Sequence, residues 1–270
     1  MIAARRSSFL VELALASPLF VFYHFGLLFL DSVKNATDFV SPYLFQLTSY
    51  NKGLYLLATV GVALLVIGAA AWSEHARRKR LPSATRSQSD GTALMSSGFA
   101  NTFGAKRFVW VLVEGTLFAA ALRFLGALIT RTLVGAGLQG SSGIGSGLVL
   151  SAGAGFYEEL SFRVVLFGLG LWALQKWISP KNTVQPVLAR SARALTSAKR
   201  APLAIVWGLF SAFLFSAIHY VGPFRDALEL NSFVFRMVLG ILLTLLFVFR
   251  GFATAAWAHA LYDMWFTLTH

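Results

Sequence analysis

Apolar residues gather in long blocks along this chain, and the polar positions fall in clusters between them. Seven blocks reach the length of about 20 residues that a bilayer requires. They cover residues 9–30, 53–73, 108–129, 148–177, 203–220, 232–249 and 252–269. The pattern predicts an all-α, polytopic transmembrane helical bundle of about seven spans. The first block is too long for a signal-peptide core and lacks a small-x-small cleavage site after it, so it reads as a retained span. The run 74–107 is basic, Ser-rich and weakly apolar, which predicts a flexible linker. It divides a hairpin, 1–73, from a core, 108–270. The Gly-rich run 135–147 reads as a loop, and 184–200 as a short basic helix at the membrane interface.

Composition agrees with the blocks. Of the residues, 57% are hydrophobic and 13% charged, against about a quarter charged in a soluble domain. Cysteine is absent, which excludes disulfides, thiolate zinc sites and cysteine nucleophiles. A net charge of +12 raises the question of nucleic acid, and the placement of the charges answers it. Of the 23 Lys and Arg, 16 lie at the N-terminus, in or beside 74–107 and 178–202, and at Arg250. That alternation is the positive-inside pattern, with the N-terminus cytoplasmic and the C-terminus outside. The basicity sets topology, and no nucleic-acid partner is expected. The expected partners are the lipid bilayer and a membrane-associated protein or peptide.

Ionisable groups inside spans face a protein interior or a wet cavity almost by default. Glu12, His24 and Arg236 lie close enough to span ends to reach the interface. Glu114 and Arg123 lie on opposite faces of one helix and are expected to pair with neighbouring helices. The other six fall at helical spacing in three spans. Glu159 and Arg163, in "FYEELSFR", stand four apart and can pair along one face. Glu158 points about 100° away from Glu159 and lacks that partner. His259 and Asp263, in "HALYD", repeat the four-residue spacing, and His219 closes "FLFSAIH" one turn after Phe215. Gly153, Ala154 and Gly155 permit close helix packing here. A desolvated carboxylate with two histidines is a set suited to hydrolysis: a general base, a group to hold the water and a donor to the oxyanion. Glue between three helices is the bland reading, and six such groups together weigh against it.

In order, "EELSFR", "FSAIH" and "HALYD" resemble the EExxxR, FxxxH and HxxxN/D motifs of the CAAX protease and bacteriocin-processing (Abi) family of glutamate-type intramembrane proteases. The resemblance implies a catalytic base at Glu158, a supporting pair at Glu159 and Arg163, and a water-orienting histidine at His219. It implies an oxyanion-side pair at His259 and Asp263, where Asp replaces the commoner Asn. It also implies a multi-pass protein of a bacterial inner membrane. No cofactor is expected. Zinc held by Glu158, Glu159, His219, His259 and Asp263 ranks lower, because no HExxH helix is present and Arg163 disfavours a cation. A proton-coupled transporter would use the same carboxylates as a relay, but no inverted repeat or pair of broken helices supports it. A catalytically silent scaffold or immunity protein is the remaining alternative.

Overall fold

The structure is a computed structural model that describes residues 8–30, 37–38, 40–79, 105–134, 143–178, 201–221 and 226–269. The bulk of the basic linker, 80–104, and the 184–200 segment lie outside the described residues. Helices are α1 (Phe9–Leu27), α2 (Ser41–Leu47), α3 (Lys52–Lys79), α4 (Ala105–Val134), α5 (Ile144–Gly153), α6 (Gly170–Ile178), α7 (Ala201–Ala217), α8 (Leu230–Arg250) and α9 (Phe252–Thr269). A π-helical segment, Ala154–Leu169, joins α5 to α6, and a 3₁₀ turn, Ile218–Tyr220, closes α7. No strand occurs among the described residues.

Among the described residues, five helices are long and apolar enough to cross a membrane: Phe9–Leu27, Lys52–Ser73, Ala105–Ile129, Ala201–Tyr220 and Leu230–Arg250. The two other blocks read as spans, 148–177 and 252–269, are helical but carry the polar residues of the motifs. Helix begins at Ile144, so the end of the Gly-rich run is helical rather than a loop. Likewise α3 continues to Lys79 and α4 starts at Ala105, which takes both ends of the predicted linker into helix.

Helix α9 is the centre of the bundle, packed on α4, α8, α5, α1 and the π segment. Its sequence explains how so many neighbours fit. Ala253, Ala255, Ala256, Ala258 and Ala260 are all fully buried, and their methyl groups let backbones approach on several sides. The π segment comes closest, since a Cβ on Gly155 would lie 2.6 Å from the Ala256 carbonyl oxygen.

The interface reading of Glu12 and His24 is corrected by the structure. Helix α1 is not peripheral; it lies among α3, α5 and α9, so its polar groups meet protein instead of lipid headgroups. Glu12 is 7% exposed and accepts the backbone N–H of Ala253 at 3.1 Å, capping α9. Gly251, at φ +100°, makes the sharp turn that brings α9 under this carboxylate. Arg107 of α4 approaches the same carboxylate at 3.8 Å. Replacing Glu12 with Leu removes an acceptor for buried N–H groups at the positive end of α9. The expected loss is about 1–3 kcal/mol, read as a lower unfolding midpoint of the purified protein in detergent. An unchanged midpoint would show that this cap contributes nothing.

Glu114 and Arg123 find partners on neighbouring helices, as expected. Glu114 pairs with Arg250 of α8. Arg123 lies over the Trp265 ring and donates to Thr269 at 3.2 Å.

Candidate active site

The glutamates sit early in the π segment, where the sequence pattern predicts ordinary α-helix. A π-helix has a wider turn, closed by i→i+5 hydrogen bonds, and is frequent at functional sites. Glycines flank its start, and their lack of side chains lets two neighbours clamp it. Gly153 faces the Tyr23 ring of α1, and Gly155 faces α9. The different winding leaves the Glu159–Arg163 pair intact, with Arg163 Nε 3.1 Å from Glu159 Oε2. Both side chains are essentially inaccessible to solvent.

Glu158 projects elsewhere, toward His219 at the end of α7. Its Oε2 lies 3.9 Å from His219 Nε2. That separation is too long for a direct hydrogen bond and leaves room for a water bonded to both. The other ring nitrogen of His219, Nδ1, lies 2.9 Å from the carbonyl oxygen of Phe215. A carbonyl only accepts, so Nδ1 carries a proton, and in the neutral ring Nε2 presents a lone pair toward Glu158. The 3₁₀ turn after Ala217 points this ring back over the end of its own helix.

His259 lies between two carboxylates. Its Nδ1 is 2.8 Å from Glu159 Oε1 and its Nε2 is 3.4 Å from Asp263 Oδ2. The contact with Asp263 follows from the four-residue spacing. The contact with Glu159 joins positions 100 residues apart and is not legible in the sequence. Phe215 ties the set together: the Arg163 guanidinium stacks 4.2 Å from its ring centroid, with the His219 and His259 rings edge-on at 5.5 and 5.9 Å. Its place one turn before His219 was the sequence signal.

All six predicted side chains therefore converge, but in two layers. Glu158, His219, His259 and Asp263 line a cavity of about 250 Å³, and Glu159 and Arg163 lie behind it. Two further residues in the wall, Arg236 and Tyr262, were missed by the reading of the sequence. Arg236 does not reach for the interface. Its Nη2 donates to Asp226 at 2.6 Å, and Nη1 is buried with no hydrogen-bond partner among the described residues. Distance from a span end does not tell which way a side chain turns, and α8 turns this one inward. Among the described residues, no three His, Asp or Glu side chains are grouped to hold a metal ion.

Taken together, fold and site define an all-helical integral membrane protein with a polar cavity built from helices that are otherwise apolar. Residues 140–265, which contain all three motifs, match the family described as type II CAAX prenyl endopeptidase, Rce1-like. The similarity seen in three short motifs thus extends over the whole segment from α5 to α9, and that family is one of proteases. No curated protein and no solved structure matches the chain.

Proposed function

We propose that the chain is a glutamate-type intramembrane endopeptidase that hydrolyses a peptide bond of a membrane-associated protein. The observation that carries this reading is the placement of Glu158 beside the lone pair of His219 at the cavity wall, 3.9 Å apart, where one water on the cavity side can bond to both. A water there donates one hydrogen to His219 Nε2 and the other to Glu158. As its oxygen bonds to the scissile carbonyl carbon, Glu158 takes the proton and later gives it to the departing amide nitrogen. His259 Nε2–H, whose contact with Asp263 is long, can donate instead to the oxyanion. The Glu159–Arg163 pair fixes the other side of the His259 ring through Nδ1. Arg236 adds a positive charge facing the same cavity.

Proteomics of cells carrying Glu158→Ala in place of the wild-type chain tests the reading without assuming a substrate. One membrane-associated precursor should accumulate. A peptide ending in a prenylated Cys-a-a-X sequence, set against its unprenylated form, tests whether the specificity in the matched family's name applies here. Identical proteomes for variant and wild type would refute the endopeptidase reading.

The same reading places seven spans in the membrane, an inner membrane in a bacterial cell, with the N-terminus inside. The distribution of Lys and Arg supports this orientation. A reporter fused at residue 85 should therefore be cytoplasmic, and an external location would reverse the assignment.

Asp263 separates two ways of building the oxyanion side. If it acts by orienting His259, then Asp263→Asn keeps much of the activity, because an amide can still hold the ring in place and can itself donate a hydrogen bond. Asp263→Leu then loses nearly all of it, and His259→Ala is at least as damaging. Turnover of the accumulated precursor by each purified, folded variant measures this. Equal inactivity of the Asn and Leu variants would show that the aspartate's own charge or proton is required.

A further inference from the structure

A second buried polar cluster lies outside the cavity and largely outside the matched segment. His24 of α1 has no solvent exposure and is bonded through both ring nitrogens. Its Nε2 lies 2.7 Å from the hydroxyl of Tyr157, and its Nδ1 lies 2.5 Å from that of Tyr55 on α3. The Ser41 hydroxyl, at the start of α2, is 3.4 Å from the same Nδ1. Beside it, the Tyr23 hydroxyl donates to Asp38 at 2.8 Å, and Asp38 accepts the backbone N–H groups of Val40 and Ser41. Burying so many polar groups is costly unless each is bonded, and a bonded set has essentially one arrangement.

Tyr157 is the residue before Glu158. It is itself fully buried, with its ring against Tyr23 and Phe156, and Gly153 leaves no space between this part of the backbone and α1. In a π-helix adjacent residues differ by a fixed rotation, so the direction of Tyr157 determines the direction of Glu158. Reversion to α-helical winding would turn Glu158 relative to His219, and that makes the external anchor matter. His24 does not line the cavity and cannot touch a substrate there.

We propose that His24, held by Tyr55 and Ser41 and bonded to Tyr157, is a positioning residue that keeps Glu158 opposite His219. The proposal rests on the catalytic reading of Glu158, and it makes the N-terminal helices part of the machinery of the 140–265 segment.

The chain contains no cysteine, which permits a test that needs no substrate. Glu158→Cys and His219→Cys are combined in the full-length protein in membranes, and a short bis-methanethiosulfonate reagent bridges them. Adding Tyr157→Phe or His24→Leu should slow bridging several-fold, and His24→Gln should restore it, since an amide can both donate and accept. A control pair, Glu114→Cys with Arg250→Cys, should bridge at the same rate in every background. Unchanged bridging at 158 and 219 would overturn the proposal. An equal fall at the control pair would also overturn it, because the cluster would then merely hold the fold. In the enzyme itself, Tyr157→Phe should lower kcat roughly 10- to 100-fold with little change in KM, the effect of displacing a catalytic group by about 1 Å. A change in KM alone would count against the proposal. Cleavage by Glu158→Ala would instead refute the catalytic reading, and the bridging rates would report on positioning independently.

Discussion

Glu158→Gln is expected to abolish cleavage while the protein inserts and purifies at near wild-type yield. The amide has the shape of the carboxylate but cannot take a proton from water. Loss of a general base costs about 10²- to 10⁴-fold in rate. The fold should tolerate the change, because Glu158 is the accessible member of the pair, at 12% side-chain exposure against 0% for Glu159. Glu158 Oε2 lies 3.9 Å from His219 Nε2, too far for a direct hydrogen bond, so little of the packing depends on its charge. Turnover of the accumulated precursor, measured beside the unfolding midpoint, checks both halves. Substantial activity in a folded Glu158→Gln protein would remove the base from the mechanism.

Glu159→Ala should fail differently, by losing yield and stability together with activity. Glu159 Oε2 faces Arg163 at 3.1 Å, and Oε1 accepts from His259 at 2.8 Å. Removing it leaves the Arg163 guanidinium, 1% exposed, with the Phe215 ring but without its counter-charge. Breaking a buried pair in this way costs about 3–5 kcal/mol, which is a large part of a typical folding free energy. It also frees the His259 ring to rotate away from the cavity. Expression level and thermal unfolding of the two variants in parallel give the comparison. Equal loss of yield in Glu158→Ala and Glu159→Ala would end the division between a chemical and a supporting glutamate.

Spacing along the chain is enough to place some of the contacts behind both expectations. Glu159 with Arg163 and His259 with Asp263 are contacts within one helix, four residues apart. Any near-helical winding brings such residues onto one face, so these pairs survive even where the segment is π-helical. Block length likewise determined that the chain is helical and membrane-embedded, since a backbone in lipid must satisfy its own hydrogen bonds.

Other features depended on which helices became neighbours. Periodicity cannot state that His259 reaches Glu159 across 100 residues, or that Arg236 turns inward while the end of its span lies close by. The clearest case is α1. Read by position, Glu12 and His24 lie close enough to the ends of a span to reach the interface; packed against α3, α5 and α9, they become a helix cap and a hydrogen-bond partner of Tyr157. The sequence by itself thus determined the helices, their membrane character and the pairs within each helix, because those rest on local hydrogen bonding and transfer free energy. The tertiary structure decided which polar groups share a cavity and which lie behind it, because that depends on how Gly- and Ala-lined faces from distant parts of the chain fit together.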